Sequence, residues 1–282
     1  MPYVTASDGA RLHYASTGRP GGPPVLMIQG LGADKHGWTM QRLGFAPFYR
    51  VIALDNRGAG RSSKPESGYS LDQMADDAIA VLDHAGVESA HVIGASMGGV
   101  ISQLLAVKYP ERVRSLTLVC TACRHHQWRR ELLEEWAATA SDEGMSAMSH
   151  TAMRWVIGPR SLRRFSPALG WLGPLAFSHP AYAFAGQVRA ILDADNSPDD
   201  LTKLRMPTLI VVGNQDVLTP RGDSEELAEL IPGSELVVIS GAAHGLMVEH
   251  FSTFNRIVLE FLGRVRRAEK AGARRDAALG LA

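Results

Sequence analysis

Short apolar runs recur at residues 25–28, 50–54, 90–93, 113–119, 208–212 and 235–239. Runs of that length without polar alternation suit strands buried on both faces. Helical patterns separate most of them. Parallel neighbours need a crossover, and a helix supplies it, so the pattern predicts a mostly parallel α/β sheet with helices on both faces. After Ser70, a suitable N-cap, Leu71, Met74, Ala78, Val81 and Leu82 return at helical spacing until Gly86. Met97, Val100, Ile101, Leu104 and Leu105 share a second helical face that Pro110 ends. Residues 3–7 and 11–17, joined by Asp8-Gly9, read as an opening hairpin.

From residue 125 to about 202 the strand-like runs vanish and helical patterns take over. The expected organisation is a core over 1–124, a helical cap over 125–202, the core resumed over 203–265, and a tail over 266–282. A last helix is expected from about Phe251 to Arg264. The tail, rich in Arg, Ala and Gly, is expected to be flexible. Parallel sheets bind ligands beyond the carboxyl ends of their strands, so loops that follow a strand hold the site candidates.

Charge narrows the functions. Lys plus Arg and Asp plus Glu each number 29, giving a net charge of 0, so no global attraction to nucleic acid or an anionic membrane is expected. No apolar run reaches the roughly 18 residues of a membrane span. No secretory signal is visible, and the cysteines are only Cys120 and Cys123, so a cytoplasmic protein without a disulfide framework is expected. Cys120 and Cys123 form a lone C-x-x-C without a second pair, and no metal site is expected from it. No dinucleotide fingerprint is present, and no cofactor is expected.

Gly94-Ala95-Ser96-Met97-Gly98 is a G-x-S-x-G motif between a strand and a helix, the setting in which that motif presents a serine on a tight, strained turn. A serine hydroxyl needs a base within hydrogen-bond reach. Of the histidines, His244 directly follows the run at 235–239, and His36 is the weaker rival. The base needs an acid to fix its tautomer. Asp216 follows the run at 208–212, although it could instead cap the next helix. The chain order Ser96, Asp216, His244 is nucleophile, acid, base. The expected oxyanion donors are the N–H groups of Met97 and, in the loop after 25–28, of Leu31. Trp128, Trp136 and Trp155 in the helical segment are candidates for an apolar substrate pocket.

With these residues placed, the chain over about 10–265 resembles the α/β-hydrolase fold superfamily, nearest to carboxylesterases and 3-oxoadipate enol-lactonase-like enzymes. Asp55-Asn56-Arg57-Gly58-Ala59-Gly60-Arg61-Ser62 is similar to that family's D-x-R-G-x-G-x-S loop. The resemblance implies an eight-stranded, mostly parallel sheet with an inserted helical cap. It also implies a serine hydrolase that cleaves a small ester or lactone through an acyl-enzyme. Gln29-Gly30 stands where many members carry His-Gly, and Ser96 argues against the aspartate-nucleophile branches. Alternative readings are a C–C hydrolase of the meta-cleavage type and a non-catalytic ligand receptor, and a perhydrolase side activity is compatible. The expected partner is a small molecule; oligomeric state stays open.

Overall fold

The computed structural model of the chain describes residues 2–163, 179–194 and 198–278, with side chains of the last helix described as far as residue 272. The apolar runs form the middle of an eight-stranded sheet ordered β1-β2-β4-β3-β5-β6-β7-β8. Its strands are β1 (Tyr3–Thr5), β2 (Arg11–Gly18), β3 (Pro24–Ile28), β4 (Arg50–Leu54), β5 (Ala90–Ala95), β6 (Val113–Val119), β7 (Thr208–Gly213) and β8 (Glu235–Ile239). β2 pairs antiparallel with β1 and β4, and the pairings from β4 through β8 are parallel.

Successive strand residues face opposite ways, so one apolar run feeds two cores. Leu26 and Ile28 join the core under α2 (Leu71–His84) and α3 (Met97–Lys108). Val25 and Met27 join the core under α1 (Thr39–Phe45) and the last helix. The expected N-cap is in place: the Ser70 hydroxyl accepts the Gln73 N–H at 3.1 Å. The sheet changes winding direction at β3, with β4 on one side and β5 on the other. Ile28 is in register with Gly94, so the loops leaving β3 and β5 rise side by side at this switch point.

Between β6 and β7 the chain forms α4 (Gln127–Asp142), α5 (Met145–Val156), α6 (Ala181–Asp193) and the short α7 (Pro198–Leu201). α4 packs against both α5 and α6. Residues 164–178 and 195–197 of the expected 125–202 segment lie outside the described residues. After β7 come α8 (Arg221–Leu230), α9 (Leu246–Glu249) and α10 (Phe251–Ala278). α10 corrects the expected helix end near Arg264. It continues to Ala278, and Glu269 on it takes two hydrogen bonds from Arg114 of β6, at 3.0 and 2.5 Å. Ala, Arg, Lys and Glu are good helix formers, so a shortage of bulky apolar residues removes a buried face without ending the helix. Residues 279–282 of the expected tail lie outside the described residues. No described helix is long and apolar enough to cross a membrane.

Candidate active site

Ser96 directly follows β5 at φ 54° and ψ −121°, a backbone region costly for a residue with a side chain. Neighbouring strands hold it there. Its N–H donates to Val119 O at 2.9 Å, and Thr121 Oγ1 donates to its carbonyl at 2.8 Å. The flanking glycines are a matter of space. A Cβ on Gly94 would lie 2.2 Å from Gly98 O, and one on Gly98 would lie 2.2 Å from Ile28 O. The turn can therefore pack α3 against β3 only with glycine at both places.

Asp216 and His244 leave β7 and β8 at the same sheet edge. Asp216 divides its oxygens between two tasks. Oδ1 accepts the N–H groups of Leu218 and Thr219 at 3.0 and 2.9 Å, closing a turn before α8. Oδ2 accepts the Thr219 hydroxyl at 2.8 Å and stands 2.9 Å from His244 Nδ1. Asp216 therefore does not cap α8, whose N-cap is Pro220 without a side-chain cap bond; its Oδ1 closes only the turn ahead of that helix. Burial opposes ionisation of Asp216, but His244 and the Thr219 donors outweigh it and hold the carboxyl below its ordinary range. His36, the rival base, is exposed and lies off the cavity described next.

Ser96 and His244 open onto one cavity of about 220 Å³, walled mainly by apolar side chains of the sheet edge and of α4, α5 and α6. Leu31 and Met97 both line it. The N–H groups flanking Leu31 are engaged: Gly30 donates to Gln29 Oε1 and Gly32 to Gln187 Oε1, each at 2.9 Å. Met97 is the first residue of α3, where an N–H has no intrahelical acceptor. Of the three tryptophans, Trp136 lines the cavity. Trp128 and Trp155 do not, correcting that expectation. They stack on each other outside it, with ring centroids 6.3 Å apart and 17° between planes. Helical geometry explains the split: Arg129, Leu133 and Trp136 fall on one face of α4, and Trp128 is turned away from it.

Sequence reasoning missed several contributors. Cys120 Sγ, an Asp216 oxygen and a His244 nitrogen all lie within 4.8 Å of one another. Cys120 directly follows β6 at φ 46°. Burial, and then the charge and hydrogen bond of Asp216, push its thiol well up, so it stands as a protonated donor. These atoms are close enough to hold a metal ion, but Asp216 and His244 are already bonded to each other, and a metal would have to break that bond. Gln187 of α6, fully buried, bridges two core loops by accepting from Gly32 and donating to Arg57 O at 2.7 Å. Nothing in its local sequence signals this, since both partners are distant backbone groups.

A sheet that switches direction beside a serine on a strained strand–helix turn is the framework of the α/β hydrolases. The chain belongs to that family: the alpha/beta hydrolase fold matches residues 23–149 and 176–251. It is 32% identical over 258 residues to 3-oxoadipate enol-lactonase 2 of Acinetobacter baylyi, covering 90% of this chain and 94% of that one. The enol-lactonase of Burkholderia xenovorans superposes with a TM-score of 0.87 at 26% identity, covering 93% of this chain and all of that one (100%). A thermophilic esterase of Thermogutta terrifontis superposes with a TM-score of 0.86 at 28% identity, covering 94% and 98%. The protein is thus a hydrolase of this fold.

Proposed function

We propose that the protein is a serine hydrolase that cleaves a small carboxylic ester or lactone through an acyl-enzyme. The observation that carries this reading is the Asp216–His244 hydrogen bond of 2.9 Å, opening with the strained Ser96 onto one apolar cavity. Ser96 Oγ attacks the carbonyl carbon as His244 takes its proton through Nε2. Asp216 fixes the tautomer with the proton on Nδ1 and stabilises the imidazolium. The N–H groups of Leu31 and Met97 receive the oxyanion, each worth about 3 kcal/mol in the transition state. His244 returns the proton to the leaving alkoxide, and water activated by His244 then releases the acid. The helices between β6 and β7 act as a cap that supplies about half of the apolar wall. The enol-lactonase and esterase relatives support this substrate class.

A fluorophosphonate probe and a p-nitrophenyl acetate assay test the reading together. The wild type is expected to be labelled on Ser96 and to turn over the ester. Ser96→Ala is expected to fold normally and to lose both properties. Retained turnover in that variant rejects Ser96 as nucleophile. An unlabelled, inactive wild type favours the ligand-receptor reading.

A further inference from the structure

The loop after β3 borders the nucleophile: a Cβ on Gly30 would lie 3.6 Å from Ser96 Oγ. Gly30 O accepts the Ala33 N–H at 3.2 Å, so residues 30–33 close a turn. Gly32, third in that turn, has φ 65°, whereas φ of Leu31 is not positive. This is the signature of a type II turn, which needs a left-handed third residue. The type I form differs by turning over one peptide, the one between Leu31 and Gly32. The shape of the loop therefore depends on what holds the Gly32 N–H.

Gln187 of α6 holds it. Its Oε1 accepts from Gly32 at 2.9 Å, and its Nε2 donates to Arg57 O at 2.7 Å. One partner is a donor and the other an acceptor, so the carboxamide has a single orientation that serves both. The side chain is fully buried, and bulk water does not compete for either bond. The far end is anchored as well. Arg57 is buried and paired with Asp77 of α2 at 2.6 and 2.7 Å. α6 comes near enough for this reach because residue 186 is glycine: a Cβ there would lie 2.5 Å from Tyr69 Cδ2. On the other side of Leu31, the Gly30 N–H is held by Gln29 Oε1. Between these two held amides the Leu31 N–H has no acceptor among the described residues, and Leu31 lines the cavity. Met97 needs no such brace, since it begins α3 and is packed in the core.

Resting on the ester or lactone reading above, we infer that Gln187 is a positioning residue for the reaction. It locks the turn that carries the Leu31 N–H, so a helix of the cap sets one half of the oxyanion hole and the core sets the other.

Gln187→Met keeps the length of the side chain and removes both bonds. Its kcat on p-nitrophenyl acetate is expected to fall about 30-fold, with KM changed less than about threefold. That is below the roughly 100- to 1000-fold loss of a deleted donor, because the N–H is displaced and not removed. A trifluoromethyl ketone reads the hole itself. Ser96 Oγ adds to its carbonyl carbon, the C=O π bond opens to an oxyanion, and the serine proton passes to His244. Its KI is expected to rise about 30-fold, in step with kcat. Gln187→Glu retains an acceptor for Gly32 and is expected to recover most of both losses. Gln187→Asn is too short to span both partners and carries the test, with losses in the same direction, where the Met variant does not fold. A glutamine that only stabilises the fold would lower the urea midpoint and leave kcat per folded molecule and KI unchanged. That result in an active enzyme, or a Glu variant no better than the Met variant, overturns the inference alone. A wild type that neither turns over the ester nor binds the ketone overturns the ester reading and the inference with it.

Discussion

Among the described residues, two buried Asp–His pairs share nearly the same bond. His13 Nδ1 stands 2.8 Å from Asp55 Oδ2, and His244 Nδ1 stands 2.9 Å from Asp216 Oδ2. Both aspartates follow a strand, β4 and β7. Their other partners differ. Asp55 also takes the Lys35 ammonium at 2.8 Å and the Lys35 N–H at 2.9 Å, and Lys35 is 1% exposed. The partners of Asp216, apart from His244, are neutral N–H, O–H and S–H donors. An aspartate already balanced by an ammonium has little field left to stabilise a new imidazolium, whereas Asp216 keeps its charge for His244. The far nitrogens differ too. His13 Nε2 is buried without a partner, while His244 lines the cavity with Ser96. The geometry of an Asp–His bond is therefore shared by both pairs; what separates the pair proposed as catalytic is the charge around its acid and the opening beyond its base.

Removing each carboxylate is the strongest way to break the comparison. Asp216→Asn is expected to lower kcat about 10⁴-fold, as an amide favours the wrong imidazole tautomer, while circular dichroism stays native. Asp55→Asn is expected to do the reverse. It leaves the Lys35 ammonium buried without a counter-charge and costs about 3–5 kcal/mol, read from urea unfolding. The molecules that stay folded should keep their kcat. A stable Asp55→Asn protein with a collapsed kcat would remove the distinction between the pairs.

The pH dependence of stability sharpens the same contrast. Burial opposes ionisation of Asp55, but its Lys35 and Arg61 bonds win and hold its carboxyl below the ordinary range, as the His244 and Thr219 bonds do for Asp216. Their stabilisation is present above the ordinary carboxylate value of 3.8 and is lost as pH falls through the lower folded values. The buried imidazoles act earlier. Desolvation pushes His91 down to about 4 from 6.5, so the unfolded chain takes up a proton that the folded chain refuses. That contribution is present above pH 6.5 and lost between 6.5 and about 4. Urea midpoints are expected to fall first across that window and again below pH 3.8. His91→Gln should flatten the first slope by up to about 1.4 kcal/mol per pH unit. An unchanged slope would show that His91 is not refused its proton.

The sheet was legible because each buried strand announces itself as a continuous apolar run, and Ser96, Asp216 and His244 because each follows such a run. Trp128 precedes Arg129 by one residue, about 100° around α4, and this turns it off the face that Arg129, Leu133 and Trp136 share. The charge contrast between Asp55 and Asp216 was invisible: Lys35 lies 20 residues before Asp55 and meets it only through folding. Cys120 read as half of an unpaired C-x-x-C. Its place beside the acid depends on β6 lying next to β7, which no local pattern reveals.

Cys120 gives the smallest test of the contrast. Its thiol donates to Asp216 and draws part of the carboxylate charge away from His244. In Cys120→Ala that charge returns to the imidazole, and the imidazolium formed during catalysis is held more tightly. The acid limb of kcat/KM is then expected to move to higher pH by a few tenths of a unit, with kcat falling less than about tenfold. Cys120→Ser keeps a donor at the position and should restore the limb. A simple packing defect would lower stability in both variants and leave the limb in place. An unmoved limb in Cys120→Ala would therefore reduce the thiol to filler, and would leave the neutral donors of Thr219 to account alone for the difference between Asp216 and Asp55.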